Sequence, residues 1–202
     1  KAEGNLKAPV LGVCHAPVNG MFSRLPPNVE KPCFVCISKD QAAHFEALYG
    51  HEARVCYNGI DLNFYKPVPG IKRTKRFLFL ARFSSIKSPD LAIEACKKAG
   101  VGLDLVGDRS ITNEPDYYKK CESMCDGEQI RMVGPCSRGE TVLWYSRAFC
   151  MIHPNRQYRE PFGLAPVEAM ACGCPVIAWD NGAMRETVEH GRTGWIVKSI
   201  DD

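Results

Sequence analysis

The run from Phe149 to Trp179, FCMIHPNRQYREPFGLAPVEAMACGCPVIAW, holds one complete strand–helix–strand unit. Phe149 to His153 and Pro175 to Trp179 are short and apolar along their length, as strands buried on both faces are. Between them, Ala165 to Ala171 reads as a helix, with Pro166 in the first turn, where its missing N–H costs little. Two strands joined by a helix lie parallel, because the crossover returns the chain to the edge it started from.

The same alternation extends outward. Phe77–Ala81, Leu103–Val106, Ile130–Val133 and Trp195–Val197 read as further strands. Ser88–Lys98, Asp116–Cys125, Arg138–Arg147 and Ala183–Glu189 read as helices, with Val142, Leu143 and Tyr145 expected to be buried. Six strands in this order predict an α/β fold, a doubly wound parallel sheet of Rossmann type, over residues 76–202. Upstream, Val10–Cys14, Phe34–Ile37 and Arg54–Tyr57 read as strands, and Lys39–Leu48 as a helix capped by Ser38 and ended by Gly50. These elements are too few for a domain, so residues 1–65 are expected to be the end of a preceding α/β domain. Residues 66–75, with Pro67, Pro69 and Gly70, read as a linker.

Ligands of such sheets bind beyond the carboxyl ends of the strands, so the loops there carry the candidate chemistry. Glu160-Pro-Phe-Gly-Leu-Ala-Pro-Val-Glu168 is one of them. A helix start offers open backbone N–H groups and a positive dipole end, which suit a phosphate. Two carboxylates would repel that phosphate and suit neutral hydroxyls on either side of it. Glu160 is expected just before the helix and Glu168 within its first turn, so they do not flank a scissile bond as the acid and base of a glycoside hydrolase would. For Glu168 alone, stabilisation of the helix dipole is a sufficient explanation. Arg82-Phe-Ser-Ser-Ile-Lys87, after another strand, places two cations at the same edge of the sheet.

The sequence resembles the family-4 glycosyltransferases of the GT-B fold. The match runs through Glu160-Pro-Phe-Gly-Leu-Ala-Pro-Val-Glu-Ala-Met-Ala-Cys-Gly-Cys-Pro-Val-Ile-Ala, then Asn-Gly-Ala-Met-Arg-Glu186 and His190-Gly-Arg-Thr-Gly194. The resemblance implies that Glu160 contacts the donor sugar and Glu168 the ribose hydroxyls. It assigns sugar and phosphate to the backbone N–H groups around Phe162, Gly163 and Leu164, and the leaving diphosphate to Arg82 and Lys87. Ser88 stands where many members have glycine. His15, in His15-Ala-Pro, corresponds to a histidine reaching the donor sugar from the N-terminal domain, and Gly134-Pro135 to a segment beside the nucleobase. Ile37-Ser-Lys and Tyr57-Asn-Gly-Ile-Asp61 match the approach to the linker.

The implied activity is transfer of a sugar, with retention, from a nucleoside-diphosphate sugar to a sugar, lipid or protein acceptor, with no metal and no separate cofactor. The alternative is a nucleotide-sugar-binding module that needs a partner domain, since most of the acceptor side and the closing C-terminal helices are expected to lie outside this chain. The formal net charge of +3 does not point to nucleic acid or a membrane surface. A peripheral membrane contact would fall to the N-terminal part of such a protein. Eleven cysteines, an odd count spread through apolar runs, read as buried free thiols in a reducing cytoplasm. Cys33 and Cys36 have metal-ligand spacing, but on a strand they point to opposite faces.

Overall fold

The computed structural model describes residues 11–18, 33–108 and 113–202. A three-stranded parallel sheet, ordered β1-β2-β3, is built from β1 (Leu11–Cys14), β2 (Cys33–Cys36) and β3 (Ala53–Val55). Helix α1 (Lys39–Tyr49) joins β2 to β3; the Ser38 side chain accepts from the Gln41 amide at its start, and left-handed Gly50 ends it. Phe34, Cys36, Ala42 and Phe45 form the core of this segment. Cys36 is buried beside Cys14, while Cys33 is half-buried on the other face. All eleven cysteines are free thiols.

The larger sheet contains β4 (Phe77–Leu80), β5 (Leu103–Val106), β6 (Ile130–Gly134), β7 (Met151–His153), β8 (Val176–Trp179) and β9 (Gly194–Val197). All pairs are parallel and the order is β6-β5-β4-β7-β8-β9, the doubly wound arrangement expected from the alternation. Helices α2 (Pro89–Ala99) and α3 (Pro115–Ser123) cover β4, β5 and β6 around Phe79, Ile93, Leu103 and Ile130. Helices α4 (Arg138–Arg147) and α5 (Leu164–Ala171) cover the opposite face around Leu78, Tyr145, Met151 and Val176. α4 opens with a reciprocal capping box between Ser137 and Glu140. A final short helix, α6 (Met184–Thr187), leads to β9.

Several boundaries differ from the sequence reading. β3 is Ala53–Val55, β7 begins at Met151, and α6 has a single turn where Ala183–Glu189 was expected. His190 and the turn after it are drawn into β9, whose Ile196 N–H donates to His190 Nδ1 at 3.1 Å. Leu143 is exposed, because the face of α4 that meets the sheet is set by Val142, Tyr145 and Ser146. The expected strand residue Val10 lies outside the described residues. No helix among the described residues is long and apolar enough to cross a membrane.

The chain leaves β4 through a 3-10 turn at Ser85–Lys87 and enters α2 at Ser88. Ser88 has φ of 52° and ψ of 49°, the sole left-handed residue other than glycine among the described residues. That conformation explains a glycine preference at this position. The buried Ser88 hydroxyl offsets part of the steric cost by donating to the Ser85 carbonyl at 3.0 Å. Ser88→Ala and Ser88→Gly both lose that bond, but only alanine keeps the strain, so Ser88→Ala is expected to be about 1 kcal/mol less stable than Ser88→Gly. Urea unfolding of the two variants beside the wild type checks this.

Candidate functional site

Strand order reverses between β4 and β7, so the loops leaving these two neighbours diverge and open a crevice at their carboxyl ends. The cleft there has a volume of about 350 Å³. Arg82 and Lys87 reach it from β4, and Tyr158, Glu160 and the start of α5 from β7. His15, following β1, faces it from the smaller sheet, and Glu168 lies in its wall. The structure thus gathers Arg82, Lys87, His15, Glu160, Phe162, Gly163, Leu164 and Glu168 around one opening. Gly134 and Pro135 do not line it; the Gly134 carbonyl accepts from the Gly107 amide at 2.9 Å.

Glu160 is buried, 8% exposed, and its carboxylate is held from several sides. Lys87 Nζ lies 2.6 Å from Oε2, and Asn155 Nδ2 donates to the same oxygen at 3.0 Å. His153 Nε2 is 3.6 Å away, and Lys87 also stands over the Tyr158 ring, 5.0 Å from its centroid. Burial opposes the charge on Glu160, but His153 and the Lys87 ammonium outweigh it and hold the carboxyl down at about 2. Glu160 is therefore ionised throughout the physiological range. Its contribution to stability is complete above the ordinary carboxylate range and is lost as pH falls toward 2. In Glu160→Gln this part of the acid destabilisation should be missing, which acid titration of the unfolding midpoint in both proteins measures.

The Glu160 loop is held by the segment after β8. Asn181 Nδ2 lies within 3.2 Å of the carbonyls of Asn155, Arg156 and Tyr158, and the Ala183 amide donates to the Glu160 carbonyl at 2.9 Å. Gly182 between them has φ of 60°, and a Cβ there would collide with the Glu160 carbonyl oxygen. Gly163, with φ of 83°, is the turn into α5. Beyond it the amides of Gly163, Leu164 and Ala165 have no acceptor among the described residues, and Pro166 supplies no N–H. The cleft thus combines cations, open amides and a carboxylate.

Glu168 is the fifth residue of α5, so it lies in the second turn and not the first. Dipole stabilisation does not account for it there, since that effect is confined to the first turn. Its partners are phenols: Tyr145 Oη is 3.3 Å from Oε2, and Tyr65 approaches the same carboxylate, with both tyrosines shifted upward chiefly by burial. Arg82 is exposed and makes no ion pair among the described residues. His153, Asn155 and Tyr158 did not stand out in the sequence, and Asn181 appeared there only as the first residue of the Asn-Gly-Ala-Met-Arg-Glu186 run. The signal of the first three was positional only: a strand end and two residues of the loop after it.

A profile of the family "Glycosyl transferases group 1" matches residues 63–202, and the chain belongs to that family. Among curated proteins, D-inositol 3-phosphate glycosyltransferase 1 of Catenulispora acidiphila is 30% identical over 191 residues, covering 83% of this chain and 45% of that protein. A D-inositol 3-phosphate glycosyltransferase of Mycolicibacterium smegmatis is 29% identical, covering 73% of this chain and 36% of the relative. The chain spans less than half the length of these relatives. Among solved structures, Anabaena HepE in complex with UDP and glucose superposes with a TM-score of 0.79 at 23% identity, over 95% of this chain and 58% of its own. A sucrose-phosphate synthase from Thermosynechococcus elongatus gives 0.74 at 22% identity, covering 95% of this chain and 55% of its own. At these identities the structural likeness establishes the shared α/β fold.

Gly182→Ala combines a left-handed alanine with a backbone collision at the Glu160 loop, and is expected to cost about 2–4 kcal/mol. Urea unfolding should show that loss, and Gly191→Ala, with a left-handed glycine that meets nothing nearby, should lose less.

Proposed function

We propose that this chain carries the donor side of a retaining family-4 glycosyltransferase, which moves a sugar from a nucleoside diphosphate to an acceptor without a metal. The observation that supports the reading most directly is the cleft at the β4/β7 switch point. There Lys87 and the open start of α5 provide for a diphosphate, and Glu160 provides for hydroxyls beside it.

In this reading Arg82 and Lys87 neutralise the diphosphate as the bond to the sugar breaks, with the Gly163, Leu164 and Ala165 amides binding its oxygens. Glu168 accepts from the ribose hydroxyls, the backbone around Phe162 serves sugar and phosphate, and the Gly134-Pro135 segment, outside the lining of the opening, lies beside the nucleobase. Glu160 orients the donor sugar, and His15 reaches it from across the cleft. The acceptor oxygen attacks from the face the diphosphate leaves, and the departing phosphate takes the acceptor proton. No protein nucleophile is required. Lys87 is bound to Glu160, so a phosphate entering the cleft competes with that carboxylate for the ammonium.

Anabaena HepE has been solved with UDP-glucose, which makes it the first donor to test, with GDP- and ADP-sugars beside it. The names of the curated relatives make a phosphorylated inositol the first acceptor to test, before other sugars, lipids or proteins. The free thiols fit a cytoplasmic setting. The second reading, a donor-binding module completed by a partner, predicts nucleotide binding without transfer by this chain.

Glu168→Ala is expected to weaken binding of the cognate nucleoside diphosphate about tenfold or more. Glu160→Ala is expected to abolish transfer while leaving that affinity within about threefold of the wild type. Calorimetry with UDP, GDP and ADP, beside a transfer assay, tests both. Unchanged behaviour in both variants would overturn the site.

A further inference from the structure

The described residues contain two buried polar side-chain atoms with no hydrogen-bond partner, Ser84 Oγ and His153 Nε2. His153 is the last residue of β7 and 5% exposed, and Nε2 itself is closed off from solvent. An imidazole there as core filling would leave a polar atom buried without compensation, an arrangement proteins avoid. The nearest charged oxygen is Glu160 Oε2, 3.6 Å from Nε2. That distance is too long for a hydrogen bond and short enough that a shift of under about 1 Å would make one.

Lys87 and Asn155 also point to Oε2, so three nitrogen groups converge on one oxygen of the carboxylate. No described residue donates to the other oxygen, Oε1. Lys87 is the member of the set on a long, flexible stem, and any phosphate in the cleft attracts its ammonium. Once Lys87 turns to a diphosphate, Asn155 and His153 are the groups left on Oε2. Asn155 is neutral and in place; His153 is the one with a ring nitrogen, Nε2, that has no partner.

We propose that His153 is a positioning residue for donor recognition: it donates from Nε2 to Glu160 Oε2 when Lys87 is drawn to the diphosphate, so that Oε1 stays presented to the sugar hydroxyls. The inference rests on the donor-site reading above. The charged and titratable groups facing Glu160 are Lys87 from the turn after β4, His153 from β7 and Tyr158 from its own loop, with Arg82, His15, Tyr145 and Glu168 in the same cleft.

The test uses the whole chain with UDP and UDP-glucose as probes. His153→Leu is expected to bind UDP within about twofold of the wild type and UDP-glucose at least about tenfold more weakly. His153→Gln, which restores an N–H at similar reach, is expected to recover part of that loss. Equal affinities for UDP-glucose in wild type and His153→Leu would overturn the proposal and leave the donor-site reading standing. Wild-type chain that binds no nucleoside diphosphate or its sugar would overturn the donor-site reading, and the positioning role with it. Long-range nitrogen NMR of the wild type supplies a readout that needs no substitution. A proton on Nε2 of His153 is expected, and a neutral imidazole carrying its proton on Nδ1 would overturn the proposal even if His153→Leu failed to fold.

Discussion

The contact between Lys87 and Glu160 joins the loops of two neighbouring strands whose chains run off in opposite directions. β4 leads toward β5 and β6, β7 toward β8 and β9, and the two loops would diverge if nothing tied them. A 2.6 Å ion pair with both side chains mostly buried closes that gap. Desolvating two charges is expensive, and such a pair is weak evidence for stability in itself. Here the cost is reduced by Asn155 on the same oxygen and by the Tyr158 ring beneath the ammonium. What the pair secures is a carboxylate that stays charged although buried, with a cation available beside it.

That carboxylate depends in turn on a support that carries no charge. Asn181 gathers three carbonyls of the 155–158 loop, Gly182 lets the backbone pass against Glu160, and Ala183 donates to the Glu160 carbonyl. A side chain larger than hydrogen at residue 182 and a direct backbone contact with residue 160 exclude each other. The Asn-Gly-Ala run and the Glu-Pro-Phe-Gly run are thus two halves of one local structure, although seventeen residues separate them in the chain. This gives a physical reason for both to belong to the same sequence pattern.

The sheet was legible in the sequence because its strands are apolar on both faces, and that pattern survives any error of a residue or two at their ends. Glu160, Arg82 and Lys87 were legible because glycine and proline marked the loops that carry them. Glu168 was placed in the wrong turn: Pro166 suggested a helix opening at Ala165, but where the turns fall depends on Gly163, whose left-handed conformation starts α5 at Leu164. α6 was overestimated: the expected helix ran to Glu189, yet the Glu189 amide donates to Thr193 Oγ1 and the His190 ring accepts from the Ile196 amide, which commits these residues to the turn into β9. His153 was not legible at all. As the last residue of an apolar strand it reads as filling, and only the approach of Glu160 from a loop seven residues later shows the unused nitrogen.

The segments that hold Glu160 also hold the smaller sheet, through other residues. Arg159, next to Glu160, makes two contacts of 2.7 and 2.8 Å to Asp40 in the first turn of α1. Glu186 of α6, three residues past Ala183, accepts from the amides of Lys39 and Asp40 at 2.8 and 2.7 Å and from the Tyr57 hydroxyl at 2.8 Å. An exposed ion pair contributes little alone. A carboxylate on two open amides of a helix start is a stronger and more directional tie. Since α1 follows directly from β2, and β2 is hydrogen-bonded to β1, these contacts fix where His15 stands relative to Glu160. Movement of the smaller sheet away from the cleft must break the Arg159 and Glu186 contacts together, and both sit on the segments that shape the Glu160 loop. Opening of the cleft and the orientation of its carboxylate are therefore mechanically linked.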